Sequence, residues 1–225
     1  RLKRRNPRGV VRVSAMLRSL LTALTAGARA LTGAGAAQAA DNVTVMTRNV
    51  FLGADLGPAL KATDTASFIH AAGIIYRQLE TTNFRKRAKG LAAEVQQRRP
   101  DLIGLQEVAL WRRGPVNITA ITGKPAASEV YQDFLKILLK KVNAGKAQYE
   151  VVKIQKEFDF EAPADVDDNP QTGLLGADAD FRLTMRDVIL KRKGAGITTK
   201  DLRGGHYTKK NSFTVTIGPV TVTSV

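Results

Sequence analysis

Residues 101–108 read Asp-Leu-Ile-Gly-Leu-Gln-Glu-Val, a short apolar run that ends in polar side chains. A continuous apolar run of this length is typical of a strand that is buried on both faces, as parallel strands are. Pro100, directly before it, ends the helical pattern that precedes the run. The stretch therefore predicts a buried strand whose carboxyl end carries Glu107.

Working outward from this strand, the sequence alternates between strand and helix patterns. Residues 43–47 alternate with β-branched side chains and predict a strand that leads into Asn49. Two helices are predicted between the two strands, at about Ser67–Thr81 and Phe84–Arg98, with Asn83 as the cap of the second. Strands alternating with helices predict an α/β fold.

The second half of the chain continues this alternation. A third helix is predicted over about 128–143, and strands at Tyr149–Phe158, at Val188–Leu190 and within Ser212–Val225. The expected inward side of the third helix consists of Val130, Phe134, Leu135, Leu138 and Leu139. Loops are predicted around Trp111–Gly114 and over the acidic stretch 161–180.

The composition excludes several classes of site. The 225 residues include no Cys, which rules out a disulfide scaffold, a thiolate zinc site and a cysteine nucleophile. Only two histidines occur, His70 and His206, which argues against a metal cage of several histidines. The net charge is +15, but residues 1–39 contain eight basic residues and no acid. The remaining 27 basic and 20 acidic residues leave +7, which still favours an anionic partner.

The N-terminal segment resembles a secretory signal. Met16-Leu17-Arg18 gives a short basic start, an Ala/Leu/Thr-rich stretch follows, and Ala37-Gln38-Ala39 has the small residues of a cleavage site. We therefore expect a secreted protein, with a signal peptide that starts at Met16 and is cleaved near Ala39. Residues 1–40 are then the signal with its upstream basic segment, and 41–225 the domain. Arg29 interrupts the apolar stretch, so an amphipathic basic arm is the alternative.

No run of about twenty apolar residues occurs, so the sequence predicts no transmembrane segment. The phosphate-binding Gly-x-x-x-x-Gly-Lys-Ser/Thr loop, the Gly-x-Ser-x-Gly elbow and the His-Glu-x-x-His helix are all missing from the sequence. The candidate site residues are instead those that end the two strands, Asn49 and Glu107. Ligands of α/β proteins bind beyond the carboxyl ends of strands, and Mg²⁺ prefers amide, carboxylate and phosphate oxygens.

These two strand ends resemble a known family. Residues 46–53, Met-Thr-Arg-Asn-Val-Phe-Leu-Gly, and 99–108, Arg-Pro-Asp-Leu-Ile-Gly-Leu-Gln-Glu-Val, resemble the first two motifs of the endonuclease/exonuclease/phosphatase superfamily, the fold of pancreatic deoxyribonuclease. Residues 48–56, Arg-Asn-Val-Phe-Leu-Gly-Ala-Asp-Leu, are similar to the opening sequence motif of secreted actinobacterial-type members. The resemblance implies the N-terminal part of a four-layer α/β sandwich, with an incomplete sheet.

The same resemblance implies roles for three residues. Asn49 would orient the phosphate or the attacking water, and Glu107 would bind the catalytic Mg²⁺, with Mn²⁺ or Ca²⁺ as alternative ions. Arg186 lies in Arg186-Asp187-Val188-Ile189-Leu190, which resembles the family's central strand, and would contact the phosphate.

Two later motifs of the family are missing. Asp167-Asp168-Asn169 matches Asp-x-Asn literally but lies in the acidic loop before Pro170, which predicts a solvated turn. His206 is not part of a terminal Asp-His pair, and the sequence stops at Val225 inside a strand pattern. We therefore expect that this chain is a C-terminally truncated member of the family. As a partial domain, it would have weak activity or none.

The resulting hypothesis is a monomeric, Mg²⁺-dependent hydrolase of phosphoester bonds, of the nuclease or the phosphatase/phosphodiesterase type. Its substrate stays open between nucleic acid, a phospholipid such as sphingomyelin, and a sugar phosphate. The alternative is a non-enzymatic basic module that binds nucleic acid or an anionic surface without metal and with steep salt dependence. Its phosphate contacts would be Arg85-Lys86-Arg87, Arg98-Arg99, Arg112-Arg113, Lys191-Arg192-Lys193 and Lys209-Lys210.

Overall fold

The structure is a computed structural model that describes residues 10–12, 42–117, 125–206, 213–217 and 220–224. These residues form a mixed α/β arrangement of a seven-stranded sheet, four helices and a separate two-stranded sheet. The strands are β1 (Val10–Arg12), β2 (Thr44–Asn49), β3 (Leu102–Gln106), β4 (Leu110–Gly114), β5 (Glu129–Asp133), β6 (Tyr149–Ala164), β7 (Ala179–Arg192), β8 (Phe213–Ile217) and β9 (Val220–Ser224). The helices are α1 (Gly57–Leu60), α2 (Thr65–Thr82), α3 (Phe84–Arg98) and α4 (Phe134–Val142).

The long strand β7 organises the sheet. One of its edges pairs with β6 along its whole length, and its other edge pairs with β4 over 180–184 and with β3 over 188–191. β3 pairs in parallel with β2, and the other pairings in this sheet are antiparallel. The break between β3 and β4 lies at Glu107, beside Arg186 of β7, whose carbonyl accepts a hydrogen bond from the Val108 N–H.

Helices α2, α3 and α4 each begin after a side chain that accepts hydrogen bonds from the free N–H groups of the first turn. Asp64 accepts from the Ser67 N–H, Asn83 accepts from the Lys86 N–H, and Asp133 accepts from the first turn of α4. α3 ends at Arg98 and is capped by Arg99, which has a left-handed φ of 47°. The bounds predicted for α2 are within two residues of those observed, and the prediction for α3, including its Asn83 cap, is confirmed.

The core lies between the strands β2, β3 and β7 and the helices α2 to α4. Phe84 of α3 stacks on Phe134 of α4, with the ring centroids 3.7 Å apart. Both rings pack in one cluster with the strand residues Met46, Ile103, Leu105, Val188 and Leu190. Burial of this apolar surface is the main stabilising term of such a core. It fixes the ends of β2 and β3 relative to each other.

Three predicted elements are corrected. The expected helix over 128–143 is a strand, β5, followed by α4; because Asp133 caps α4, the helix starts only at Phe134. Val130, predicted to point inward, is 57 % exposed on β5. The predicted loop at Trp111–Gly114 is strand β4, held by pairing to both β5 and β7. The predicted loop 161–180 is shorter, because β6 extends to Ala164 and β7 begins at Ala179.

The predicted signal segment from Met16 to Ala40 lies outside the described residues, and upstream of it only Val10–Arg12 is described, paired with β2. Within the described ranges, no helix has both the length and the apolar character required to cross a membrane.

Candidate active site

Asn49 and Glu107 meet at one edge of the sheet. β2 and β3 run in parallel with Asn49 opposite Gln106, so the residues that follow both strands emerge side by side. The Asn49 Nδ2 donates a hydrogen bond of 2.6 Å to the Glu107 Oε1. The structure thus brings together two side chains that are 58 residues apart in the sequence.

The turn after β2 completes this arrangement. The Leu52 N–H donates to the Glu107 Oε2 at 2.9 Å, and the Phe51 N–H donates to the Asn49 Oδ1 at 2.8 Å. Phe51 and Glu107 both have a left-handed φ of 57°, a conformation that non-glycine residues rarely adopt. Such strained residues concentrate at functional sites, where the surrounding contacts hold them in place.

Two further carboxylates lie beside Glu107. Asp187 of β7 accepts a hydrogen bond from the Glu107 backbone N–H. Burial raises the pKa of Asp187 above its usual value, and the negative charges of Glu157 and Glu107 raise it further. Glu107 and Glu157 are thus near enough for their charges to act on Asp187, but the oxygens of the three carboxylates do not all lie within 4.8 Å of one another. These three side chains are called the rim cluster below.

His206 lies at the border of the rim cluster. Its Nδ1 is 3.3 Å from the Glu157 Oε2, and its Nε2 is 3.2 Å from the Gln155 Nε2. Gln155 is the direct partner of Asp187 across β6 and β7. Gly204 permits this approach of the chain, since a Cβ there would come within 2.3 Å of the Gln155 Oε1.

Arg186 is not part of this site. Its Nε donates to the Val108 carbonyl at 2.9 Å, and its Nη2 pairs with the Asp133 Oδ1 at 2.6 Å. The residue is 6 % exposed and adjacent to Asp187, so the two side chains point to opposite faces of β7. This placement ties β7 to the start of α4, and it gives no support to the predicted phosphate contact.

Carboxylate oxygens, such as those of the rim cluster, are ligands that a hard cation prefers. An ionised carboxylate offers about four lone-pair positions, and only two hydrogen bonds to the Glu107 carboxylate are described. Mg²⁺ is commonly held by one or two carboxylates, with water and substrate phosphate as its other ligands. The pKa of Asp187 is raised mainly by burial and further by the charges of Glu157 and Glu107, and a divalent cation nearby would offset the cost of keeping this carboxylate charged.

Among the described residues, one group of His and Asp side chains has its possible metal-ligand atoms all within 4.8 Å of one another, namely His70, Asp165 and Asp168. The His70 Nδ1 is 3.2 Å from the Oδ2 of the buried Asp165, whose Oδ1 accepts from the Asn169 N–H. Asp168 pairs with Arg77 at 2.7 Å. Through these contacts the group ties α2 to the loop after β6. The Asp167-Asp168-Asn169 stretch is exposed there, as predicted for a solvated turn.

The basic runs of the alternative hypothesis are partly engaged within the protein. Arg87 donates to the carbonyls of Thr82 and Phe51, and burial lowers its pKa. Lys191 pairs with Glu150 at 3.0 Å, and Arg192 pairs with Asp101. Arg85, Lys86, Arg99 and Arg113 are exposed, whereas Lys209 and Lys210 lie outside the described residues.

Asp187 and Glu157 were not predicted from the sequence as residues of the candidate site. The sequence does give an indication for Asp187. It directly precedes the apolar residues Val188-Ile189-Leu190, and a carboxylate in a buried strand is costly unless it is paired. Glu157 had no comparable signal in the alternating pattern of β6, and only the pairing of β6 with β7 brings it close.

Comparisons with protein-family models, with curated proteins and with solved structures found no match for this chain. The family resemblance therefore rests on the two sequence motifs.

Proposed function

We propose that this chain is a divalent-metal-dependent hydrolase of phosphoester bonds, related to the endonuclease/exonuclease/phosphatase superfamily. The observation that carries the proposal is the 2.6 Å hydrogen bond between the Asn49 Nδ2 and the Glu107 Oε1 at the parallel ends of β2 and β3. The parallel pair β2 and β3, with the helices α1, α2 and α3 between its strands, and β7 antiparallel beside β3 also support it.

In this proposal Glu107 holds Mg²⁺, and Asn49 and the Leu52 N–H fix the orientation of its carboxylate. Asp187 and Glu157 add the negative charge that draws the cation to this rim. Bound Mg²⁺ supplies a Lewis acid that stabilises the charge developing on the phosphoryl group. His206, next to Glu157, borders the place where a phosphate would lie.

The test is Mg²⁺-dependent hydrolysis of DNA, of sphingomyelin and of a phosphomonoester, assayed side by side. Glu107→Gln keeps the size of the side chain but removes its charge, and should lower the rate about 10²–10³-fold. Glu150→Gln is the matched control, because Glu150 lies on β6, is exposed and pairs with Lys191. It should leave the rate unchanged.

Equal rates for Glu107→Gln and the wild type would refute the metal assignment. Binding of DNA that needs no metal, depends steeply on salt and is accompanied by no hydrolysis of the three substrates would favour the basic binding module instead. Calorimetric titration with Mg²⁺ and Mn²⁺ gives a second readout, since Glu107→Gln should weaken metal binding whichever substrate is correct.

A further inference from the structure

A cavity of about 350 Å³ lies between helices α1 and α2 and the part of the sheet formed by β4, β6 and β7. Fourteen side chains line it, and all of them are aliphatic, aromatic or methionine. Its walls include Phe68 and Ala72 of α2, Trp111 of β4, Phe160 of β6 and Leu183 of β7. The residues of the rim cluster and Asn49 do not line it, so the cavity is separate from the candidate active site.

The two lining side chains that carry an N–H or O–H group use it within the protein. The Trp111 Nε1 donates to the Leu52 carbonyl at 3.0 Å, and the Tyr76 hydroxyl is 3.2 Å from that of Tyr131. A polar group placed among these walls would lose its hydration without gaining a side-chain partner. The buried part of a ligand must therefore be hydrocarbon.

The volume sets the size of that hydrocarbon. An apolar cavity of about 150 Å³ holds one benzene molecule, so about 350 Å³ has room for roughly a dozen carbon atoms. Leu60 lines the cavity and is 54 % exposed, so the cavity reaches the surface at this residue. A ligand with an apolar tail and a polar head can thus bury the tail and keep the head in water.

We propose that this cavity binds a single hydrocarbon chain of roughly a dozen carbons, such as a fatty acyl chain, with its polar head in solvent. A flexible chain fits an irregular space between helices and a sheet, and burial of its methylene groups supplies the affinity. The site does not depend on metal or on the proposed hydrolase activity.

Trp111 provides a built-in reporter for this site. It is the only Trp of the chain, it is 3 % exposed, and it forms part of the cavity wall. The probe is 12-bromododecanoate, because bromine quenches indole fluorescence at short range. We expect saturable quenching below the micellar concentration, reversed by unbrominated dodecanoate. Each two carbons removed from the competitor should weaken its binding about tenfold.

Two variants separate cavity binding from adsorption to the surface. Ala72→Phe fills the cavity from α2 and should abolish quenching, whereas Ala66→Phe adds the same ring to an exposed position of the same helix and should preserve it. If thermal melting shows that Ala72→Phe does not fold, Ala162→Leu on the sheet wall takes its place. Glu107→Gln should bind the chain as the wild type does, even where hydrolysis is lost.

Quenching that rises linearly, begins only when the probe forms micelles, or survives in the folded cavity-filling variant would overturn the proposal. Absence of quenching in the wild type would overturn it as well. None of these outcomes bears on the metal site, because that site is read out by Mg²⁺ and hydrolysis.

Discussion

Strand β7 carries two carboxylates seven residues apart, and each meets another acid in different surroundings. Asp187 lies in the rim cluster with Glu107 and Glu157, at the partly exposed edge of the sheet. Asp180 is fully buried next to Glu161, which is 2 % exposed. The Glu161 oxygens accept from the N–H groups of Ala126 and Ala127 at 3.0 and 2.9 Å.

The difference lies in what can neutralise each pair. Burial raises the pKa of Asp180 to about 7, and its interaction with Glu161 acts in the same direction. A fully buried pair is closed to a hydrated ion, so a proton neutralises it. The side chains of the rim cluster are partly or fully exposed, so the proposed cation could reach them with its water ligands. Acidic residues on one strand thus differ in what could neutralise them: the proposed cation at the rim cluster, and a proton on the buried pair.

The largest expected effect in this comparison comes from Asp187→Asn. Removing this charge from the rim should lower the affinity for Mg²⁺ about 10–100-fold, the usual cost of losing a group that supports a metal ligand. Calorimetric titration with Mg²⁺ measures it, and the rate of hydrolysis should fall with it. The control is Asp180→Asn, the same change in the buried pair of Asp180 and Glu161, called the interior pair below. It should leave the affinity for metal unchanged. If both variants bind Mg²⁺ equally well, the rim cluster is not the metal site.

Much of the first half of the fold could be predicted from sequence. α3 is marked at both ends, by the Asn83 cap and by Arg99-Pro100, and β3 is a plain apolar run. The helix predicted over 128–143 failed because Glu129–Asp133 has a helix-like apolar spacing with α4. Its pairing with the distant β4 overrides that local pattern.

The candidate site was also predicted only in part, because local patterns can be read from sequence but pairing between distant strands cannot. Asn49 and Glu107 end strands that a sequence pattern can locate, and parallel pairing then brings them together. Glu157 joins them through the antiparallel register of β6 on β7, which shifts at two places along the strand. A pairing between distant segments with such shifts leaves no trace in local sequence. Sequence does not tell which face of β7 Arg186 occupies, so its burial against Val108 and Asp133 could not be predicted.

The next effect in size is a pH dependence of stability from the interior pair. Between about pH 4 and pH 7 the folded protein keeps a proton on the pair, whereas an unfolded Asp has lost it. The free energy of unfolding should therefore fall as the pH rises through this window, by about 2–4 kcal/mol.

Asp180→Asn tests this dependence, because its amide stays neutral and can donate to Glu161. Urea denaturation from pH 4 to pH 8 should give nearly equal stabilities for variant and wild type at pH 4 and a more stable variant at pH 8. Asp178→Asn offers a comparison two residues away on the exposed side of the turn, and it should not flatten the profile. The shared proton would be contradicted if the stabilities of the wild type and of Asp180→Asn changed by the same amount between pH 4 and pH 8.

The smallest effect is expected at the exposed end of the rim cluster, from Glu157→Gln. The His206 Nδ1 lies 3.3 Å from the Glu157 Oε2, and both side chains are more than a third exposed, so water screens this contact. The free energy of unfolding should change by less than about 0.5 kcal/mol. The pKa of Asp187 should nevertheless fall, because one of the two like charges that raise it is gone. Carboxyl-carbon NMR titration measures that shift, and Glu150→Gln on the same strand is the control. An Asp187 titration that does not move in Glu157→Gln would separate Glu157 from the rim and leave Glu107 as the only like charge that raises the Asp187 pKa.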